Sequence, residues 1–165
     1  IGEEIICRGV LFRIVEEGLG SWWALVVSAL FFGAAHIANP GATLWSSAAI
    51  AIEAGLLFGL LYHVTRSLVL CMGLHAAWNF TQGTIYGIPV SGLKADGWLL
   101  STRSGPDWLS GGVFGAEASV IALILTLPCA LALLAVALRR DSIVPCRPWQ
   151  RLRRRFGGAE LLKAS

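Results

Sequence analysis

Ionisable side chains interrupt the apolar stretches of this 165-residue sequence at spacings that a helix would bring together. Glu4 and Arg8 are four residues apart, so in a helix they share one face and can form an ion pair. His75 and Asn79 share a face in the same way. Glu3 points about 100° away from Glu4 around the helix. One carboxylate is therefore left free for other work.

His36 is expected to join these groups from a second helix. Glu3 lies near the start of the first apolar segment and His36 near the end of the second, and these ends coincide in an antiparallel hairpin of helices. His75 and Asn79 fall at a similar depth in a later segment. Because an ionisable side chain is costly at the centre of a membrane helix, each should face the bundle interior and find a partner. A carboxylate, two imidazoles and a carboxamide thus form a candidate site.

The composition indicates that these groups lie on membrane helices. Hydrophobic residues make up 56% of the chain and charged residues only 14%, whereas a soluble domain carries about 25% charged residues. The mean hydropathy is +0.69. We therefore expect an all-α fold, a polytopic transmembrane bundle of about five helices, with Ser21 capping the second. The apolar stretches and turn residues predict helices over about 1–17, 21–36, 44–64, 68–82 and 116–138.

The sequence divides into a membrane-embedded domain and a basic tail. The domain covers residues 1–138: the polar pairs lie within 1–83, an irregular interfacial loop rich in Gly and Trp spans 84–115, and a last span follows over 116–138. The tail, residues 139–165, holds eight of the 13 Lys and Arg residues. Positive charge beside a membrane span favours the cytoplasmic side. The sequence thus predicts an integral membrane protein, expected in a bacterial plasma membrane, with a cytoplasmic C-terminal tail.

The predicted partners of the chain follow from the same tail. Anionic lipid suits a basic segment beside a membrane span, and nucleic acid is not expected because no reader module accompanies the tail. Four cysteines without a CxxC pair imply neither a disulfide framework nor a zinc knuckle. Nothing in the sequence indicates the oligomeric state. Counting spans back from a cytoplasmic tail places the loop at 84–115 outside.

Three motifs on successive predicted helices resemble those of one family. Residues 3–8 match EExxxR, residues 32–36 match FxxxH and residues 75–79 match HxxxN. In this order the motifs are similar to those of the CPBP family, which includes CAAX prenyl proteases of the Ras-converting type and bacterial Abi, or bacteriocin-processing, proteins. The resemblance covers about residues 1–83. Because family members carry several helices before the first motif, we expect upstream helices to be missing from this chain.

The resemblance implies hydrolysis of a peptide bond inside the membrane. Glu3 would act as general base on a water molecule that His36 also polarises. The pair on the fourth helix would donate hydrogen bonds to the oxyanion, where one well-aimed donor is worth about 3–4 kcal/mol. Arg8 would hold Glu4 in place. The implied catalytic residues are Glu3, His36, His75 and Asn79, and the implied supporting residues are Glu4, Arg8 and Phe32.

A divalent metal such as zinc is a second possibility for the same groups. Glu3, His36 and His75 could supply three ligands and leave a position open, and the family is often described as metalloproteases. The sequence has no HExxH motif, however, and asparagine is an unusual zinc ligand. The glutamate mechanism without a metal is slightly favoured, and both interpretations stay open.

Other functions and substrates remain alternatives. A non-catalytic membrane immunity or binding protein of the same fold would keep the motifs as structure. A proton-coupled transporter could use Glu53 and the histidines as a relay, but the spans are few and no inverted repeat is visible. For a protease, the substrate would be a prenylated CAAX-type peptide or a leader-type peptide. Eukaryotic relatives are expected to open their site toward the cytosol, so the side to which the site opens is undecided.

Overall fold

The computed structural model describes residues 1–146, and within them the chain forms five long helices and one short helix. This part of the chain contains no β-strand, only an isolated antiparallel bridge between Val90 and Leu93. The predicted all-α fold is confirmed. In chain order the helices are α1 (Gly2–Glu4, Ile5–Phe12 and Arg13–Leu19 in one run), α2 (Ser21–Ala35), α3 (Leu44–Thr65), α4 (Leu68–Asn79 continued by Phe80–Ile85), α5 (Asp107–Ser110) and α6 (Val120–Arg139).

Two of these helices, α3 and α6, are long and apolar enough to cross a membrane by length and composition. A third apolar helix, α2, is shorter. Many large apolar side chains on the helices are exposed, among them Leu30, Val69 and Leu125. Apolar surface of this extent suits a protein whose solvent is lipid. Residues 147–165 of the predicted basic tail lie outside the described part of the chain.

Three of the long helices contain a π-helical stretch. The stretches are Ile5–Phe12 in α1, Ala51–Leu56 in α3 and Phe80–Ile85 at the end of α4. In π-helical geometry an N–H bonds to the carbonyl five residues earlier, and such stretches are rare and frequent at functional sites. Each stretch here lies beside polar groups of the candidate site. Apolar periodicity does not reveal a change of this kind, and the sequence did not predict it.

Three of the helices, α3, α4 and α6, begin with a side-chain cap. Thr43 and Ser46 form a reciprocal capping box at the start of α3, and Ser67 accepts a hydrogen bond from a backbone N–H at the start of α4. The prediction that Ser21 caps α2 is wrong, because Gly20 occupies that position. The Ser21 hydroxyl instead donates to Glu16 Oε1 over 2.8 Å, so it serves a tertiary contact.

Small residues bring α2 and α3 close together. A Cβ atom on Gly55 of α3 would lie 2.9 Å from the Cα of Ala29, and one on Gly59 would lie 3.3 Å from a methyl group of Leu25. These distances leave little or no room for a side chain. The GxxxG spacing of α3 therefore serves helix packing, as small residues do in membrane proteins, and the packing fixes the carbonyl groups of α3 that reach the site.

The segment between α4 and α6 differs in detail from the prediction. Its first residues extend α4 to Ile85, and α5 interrupts the irregular chain. The last helix begins at Val120 rather than at residue 116, because Ala116–Ala118 form a separate 3-10 turn and Ser119 caps α6. The turn places Glu117 in the protein interior. The end of this segment is therefore part of the core.

Candidate active site

Arg8 is the central cation of the site and is fully buried. One guanidinium nitrogen donates to Glu4 Oε1 over 2.9 Å, which confirms the ion pair expected from the spacing of the two residues. The other donates to the backbone carbonyls of Ala54 and Gly55 in α3, over 2.8 and 3.0 Å. The guanidinium also lies 4.8 Å from the ring centre of Phe32. Arg8 thus ties α1 to α3 and holds the Glu4 carboxylate.

His75 is oriented by that same carboxylate. Its Nδ1 lies 2.8 Å from Glu4 Oε1, and because a carboxylate only accepts hydrogen bonds, Nδ1 carries the proton and donates. The imidazole stacks on the Phe58 ring with 5.3 Å between centres and 14° between planes. With one side of the ring fixed, the Nε2 atom faces Glu3. The spacing of the motif gave no sign of this contact between α1 and α4.

His36 is oriented by its own helix. Its Nδ1 donates to the backbone carbonyl of Phe32 over 2.7 Å, a carbonyl that the helix end leaves without a helical partner. The Phe32 ring lies 4.7 Å from the imidazole. The four-residue spacing of FxxxH thus allows the His36 side chain to bond to the Phe32 carbonyl of its own helix. The Nε2 atom of His36 has no hydrogen bond within residues 1–146.

Glu3 faces both imidazoles from α1. Its Oε2 lies 3.5 Å from His75 Nε2 and its Oε1 lies 3.9 Å from His36 Nε2. These distances exceed direct hydrogen bonds and suit groups that share a small polar molecule. The Glu3 side chain is 52% exposed, whereas Glu4 is fully buried. The two neighbouring carboxylates therefore have different surroundings, as their angular separation on the helix predicts.

The predicted groups meet at one cavity. His36, His75 and Asn79 line it together with Phe32. Asn79 Oδ1 is buried and has no hydrogen-bond partner within the described residues. Four of the seven predicted residues thus line this cavity. Glu4 bonds to His75 and is held by Arg8, and Glu3 faces both imidazoles. Their proposed catalytic roles remain predictions.

The cavity has a second set of polar residues that the sequence analysis missed or left without a role. Glu53 of α3 and Glu117 both line it and are almost fully buried. Ser91 lines the same wall and donates from its backbone N–H and its hydroxyl to Glu117 Oε2, over 2.5 and 3.1 Å. Glu117 lies in an irregular segment without helical spacing to another polar group, so no local pattern pointed to it.

The fit of a metal ion to these groups can be tested by geometry. Among the described residues no group of three or more His, Cys, Asp or Glu side chains is arranged to hold a metal ion. Glu3, His36 and His75 face one another, but Glu3 is half exposed and its oxygens lie at unequal distances from the two Nε2 atoms. We therefore derive no reaction step through a metal.

The fold and the site define a helical membrane protein with a buried cluster of carboxylates and imidazoles. Residues 1–81 match the family model described as "Type II CAAX prenyl endopeptidase Rce1-like". This segment is thus similar to the Rce1-like family of membrane-embedded proteases, and the predicted resemblance to CAAX prenyl proteases is confirmed over these residues. All predicted catalytic residues lie in the matched segment. No curated protein and no solved structure matches the chain.

Proposed function

We propose that the protein is an intramembrane endopeptidase that hydrolyses a peptide bond with a water molecule activated by Glu3. The observation that carries this proposal is the arrangement of the two imidazoles. Each has its Nδ1 bonded, His36 to a backbone carbonyl and His75 to Glu4, and each turns its Nε2 to the Glu3 carboxylate. Fixed tautomers around one carboxylate are what acid–base catalysis requires.

The proposed reaction begins with a water molecule between Glu3 and His36. It donates one hydrogen bond to the carboxylate and one to the free Nε2 of His36, which leaves an oxygen lone pair for attack on the peptide carbonyl carbon. As the C–O bond forms, Glu3 takes a proton from the water. It passes this proton to the amine nitrogen when the C–N bond breaks. The carboxylate is regenerated, and no other reactant is needed.

The oxyanion of the intermediate needs hydrogen-bond donors. In the proposal, the Asn79 amide donates from the cavity wall, and His75 donates from Nε2 when its ring is protonated. The Glu4 carboxylate, 2.8 Å from Nδ1, stabilises that protonated ring. One well-aimed donor of this kind is worth about 3–4 kcal/mol in other enzymes. Arg8 fixes Glu4 and therefore acts on the reaction through His75.

The test is the variant Glu3→Gln in the full-length protein, which keeps the shape of the side chain and removes the base. We expect kcat/KM for a membrane-inserted reporter peptide to fall by about 10³-fold. The matched control is Glu17→Gln, an exposed carboxylate on the same helix, which should leave the rate unchanged. Undiminished cleavage by Glu3→Gln, or a cellular phenotype that survives both Glu3→Gln and His75→Ala, would favour the non-catalytic membrane protein instead.

Metal dependence is tested on the same material. Elemental analysis of the purified active protein and treatment with a chelator report whether cleavage follows metal content. The glutamate mechanism predicts activity that is independent of bound zinc and resistant to chelation. Activity that is lost with the metal and restored by zinc would assign Glu3, His36 and His75 to a metal site.

We further propose that the substrate is a membrane-associated peptide of the CAAX or leader type and that the basic tail is cytoplasmic. Supporting this, the family is membrane-embedded and two helices are long enough to cross. A single cysteine in place of exposed Ser101, in a chain without its native cysteines, reports the topology. Labelling by an impermeant maleimide from outside supports a cytoplasmic tail in a bacterial plasma membrane, and labelling only from inside contradicts it.

A further inference from the structure

Beyond the Glu3 site, the cavity contains two carboxyl groups without a cationic partner. Glu53 is 4% exposed and Glu117 is 5% exposed, and neither forms an ion pair within the described residues, where the buried pairs involve Glu4 and Glu16. Glu53 Oε2 has no hydrogen-bond partner there at all. Buried carboxyl groups are normally paired or hydrogen-bonded, because burial without a partner is costly. Glu117 has hydrogen bonds from Ser91 but no cation within residues 1–146, and the unpartnered Glu53 beside it at a cavity wall points to a ligand.

The buried arginine of the site is already engaged. Arg8 donates to Glu4 and to the carbonyls of Ala54 and Gly55, so it does not serve the second carboxyl pair. Burial raises the pKa of Glu117, which precedes α6, although the hydrogen bonds from Ser91 and the nearby His36 and Gln82 side chains act in the opposite direction. A positively charged group bound in the cavity would offset this effect of burial. The pair thus suits a cationic ligand.

The rest of the wall specifies what kind of cation fits. Besides the polar groups, the lining is apolar and includes Ile50, Leu57, Phe58 and Trp78. An amphipathic side chain with an aliphatic stem and a charged end can place the stem against apolar surface and the charge at a polar group. A hydrated inorganic cation has no apolar part that could pack against these residues. The lining therefore favours a lysine or arginine side chain.

We propose that Glu53 and Glu117 form a specificity pocket for a basic side chain of the peptide substrate, close to the bond that is cleaved. This inference rests on the proposed endopeptidase function, because the same cavity is lined by His36 and His75. A cation that enters the pocket on a peptide holds the backbone beside the catalytic groups. Glu53 lies within the segment that matches the family model, and Glu117 lies outside it. The proposed pocket therefore combines residues from inside and outside the matched segment.

The first test measures cleavage of pairs of reporter peptides that differ at one position, where one peptide has lysine and the other the uncharged norleucine. A separate pair is made for each position on both sides of the cleaved bond. At one position we expect lysine to raise kcat/KM at least tenfold. In Glu53→Gln and Glu117→Gln the ratio of lysine to norleucine should fall toward one, and in the exposed control Glu17→Gln it should persist. A ratio near one at every position for the unaltered protein, or a ratio retained by the double variant, overturns the pocket.

The second test needs no catalysis and separates the two proposals. The Tm of the full-length protein is measured in the presence of n-hexylammonium or of n-hexanol. The two compounds have the same hexyl group but differ in charge. We expect the ammonium ion alone to raise the Tm, by about 3 °C when the site is well occupied, and Glu53→Gln and Glu117→Gln to abolish the rise. Equal effects of both compounds, or none, overturn the pocket. If no peptide is cleaved while the ammonium effect is present, the endopeptidase proposal fails and the cation site stands.

Discussion

Glu3 and Glu4 are adjacent residues with different tasks. The Glu4 carboxylate is fully buried and accepts hydrogen bonds from Arg8 and His75. The Glu3 carboxylate is half exposed and forms no direct hydrogen bond within the described residues. Removing one partner of a buried ion pair leaves an uncompensated charge, whereas an exposed carboxylate with loose contacts adds little to stability. The two residues should therefore be separable by experiment.

We predict that Glu4→Gln lowers the free energy of unfolding by about 3 kcal/mol, because it leaves the Arg8 charge buried without a carboxylate. Glu3→Gln should change it by less than about 0.5 kcal/mol. Denaturant unfolding of both variants in the same detergent measures the difference. Equal stability of the two variants would contradict the assignment of Glu4 as the structural carboxylate. Peptide cleavage should fall in both, since Glu4 also orients His75.

Pairs of residues within one helix could be predicted from the sequence, and contacts between helices could not. The Glu4–Arg8 pair and the turn from Phe32 to His36 depend only on the four-residue repeat of a helix. The bond from His75 to Glu4 joins residues 71 positions apart, and it depends on how the helices pack. The position of Glu117 could not be predicted either, because it is set by an irregular segment that has no helical spacing.

At the scale of the elements, α3 positions the site through its backbone. The carbonyls of Ala54 and Gly55 accept hydrogen bonds from Arg8, and both residues belong to the π-helical stretch Ala51–Leu56. A backbone carbonyl can reach a neighbouring helix only if that helix comes close. Because Gly55 has no side chain, α3 can pack closely against α2. The backbone carbonyl of Gly55 accepts its hydrogen bond from Arg8 of α1. Helix packing and the electrostatics of the site thus depend on the same residue.

We predict that Gly55→Ala destabilises the protein by about 2 kcal/mol, because the added methyl group would lie 2.9 Å from the Cα of Ala29 and force α2 and α3 apart. Peptide cleavage should decrease as well, since the carbonyls that hold Arg8 would shift. The control is Gly73→Ala in α4, where an added Cβ meets no atom of the described residues within 4 Å. This variant should be as stable as the unaltered protein or slightly more stable. Similar losses in both variants would contradict the packing role.

At the scale of the whole molecule, a second polar cluster joins distant parts of the chain. The Glu16 carboxylate accepts hydrogen bonds from Ser21, His63 and Arg66 at the ends of α1, α2 and α3. His63 Nε2 in turn lies 3.1 Å from the hydroxyl of Ser142, which follows α6. The sequence analysis did not single out this cluster, because its members are far apart along the chain. It closes the bundle at the end of α1 remote from Glu3.

The electrostatics of this cluster predict how stability depends on pH. Burial alone would raise the pKa of Glu16, but the hydrogen bonds from His63, Arg66 and Ser21 outweigh it and lower this pKa from 4.5 to about 2. A carboxyl group with a lower pKa in the folded state stabilises the fold above its unfolded pKa. This contribution is complete above about pH 5 and is lost as the pH falls through 4.5 toward 2.

We therefore predict that Glu16→Gln lowers the Tm by about 5 °C at pH 7 and that the difference from the unaltered protein shrinks as the pH falls from 5 to 2. Thermal unfolding across this pH range measures the difference directly. Glu17→Gln is the matched control, because its carboxylate is the next residue and is exposed, and it should follow the unaltered protein at every pH. A Tm difference for Glu16→Gln that stays constant down to pH 2 would show that the cluster stabilises the bundle by packing alone. The loss of stability should also reach the segment after α6, because the Ser21 N–H donates to the Val144 carbonyl and the Ser21 hydroxyl accepts from the Val144 N–H.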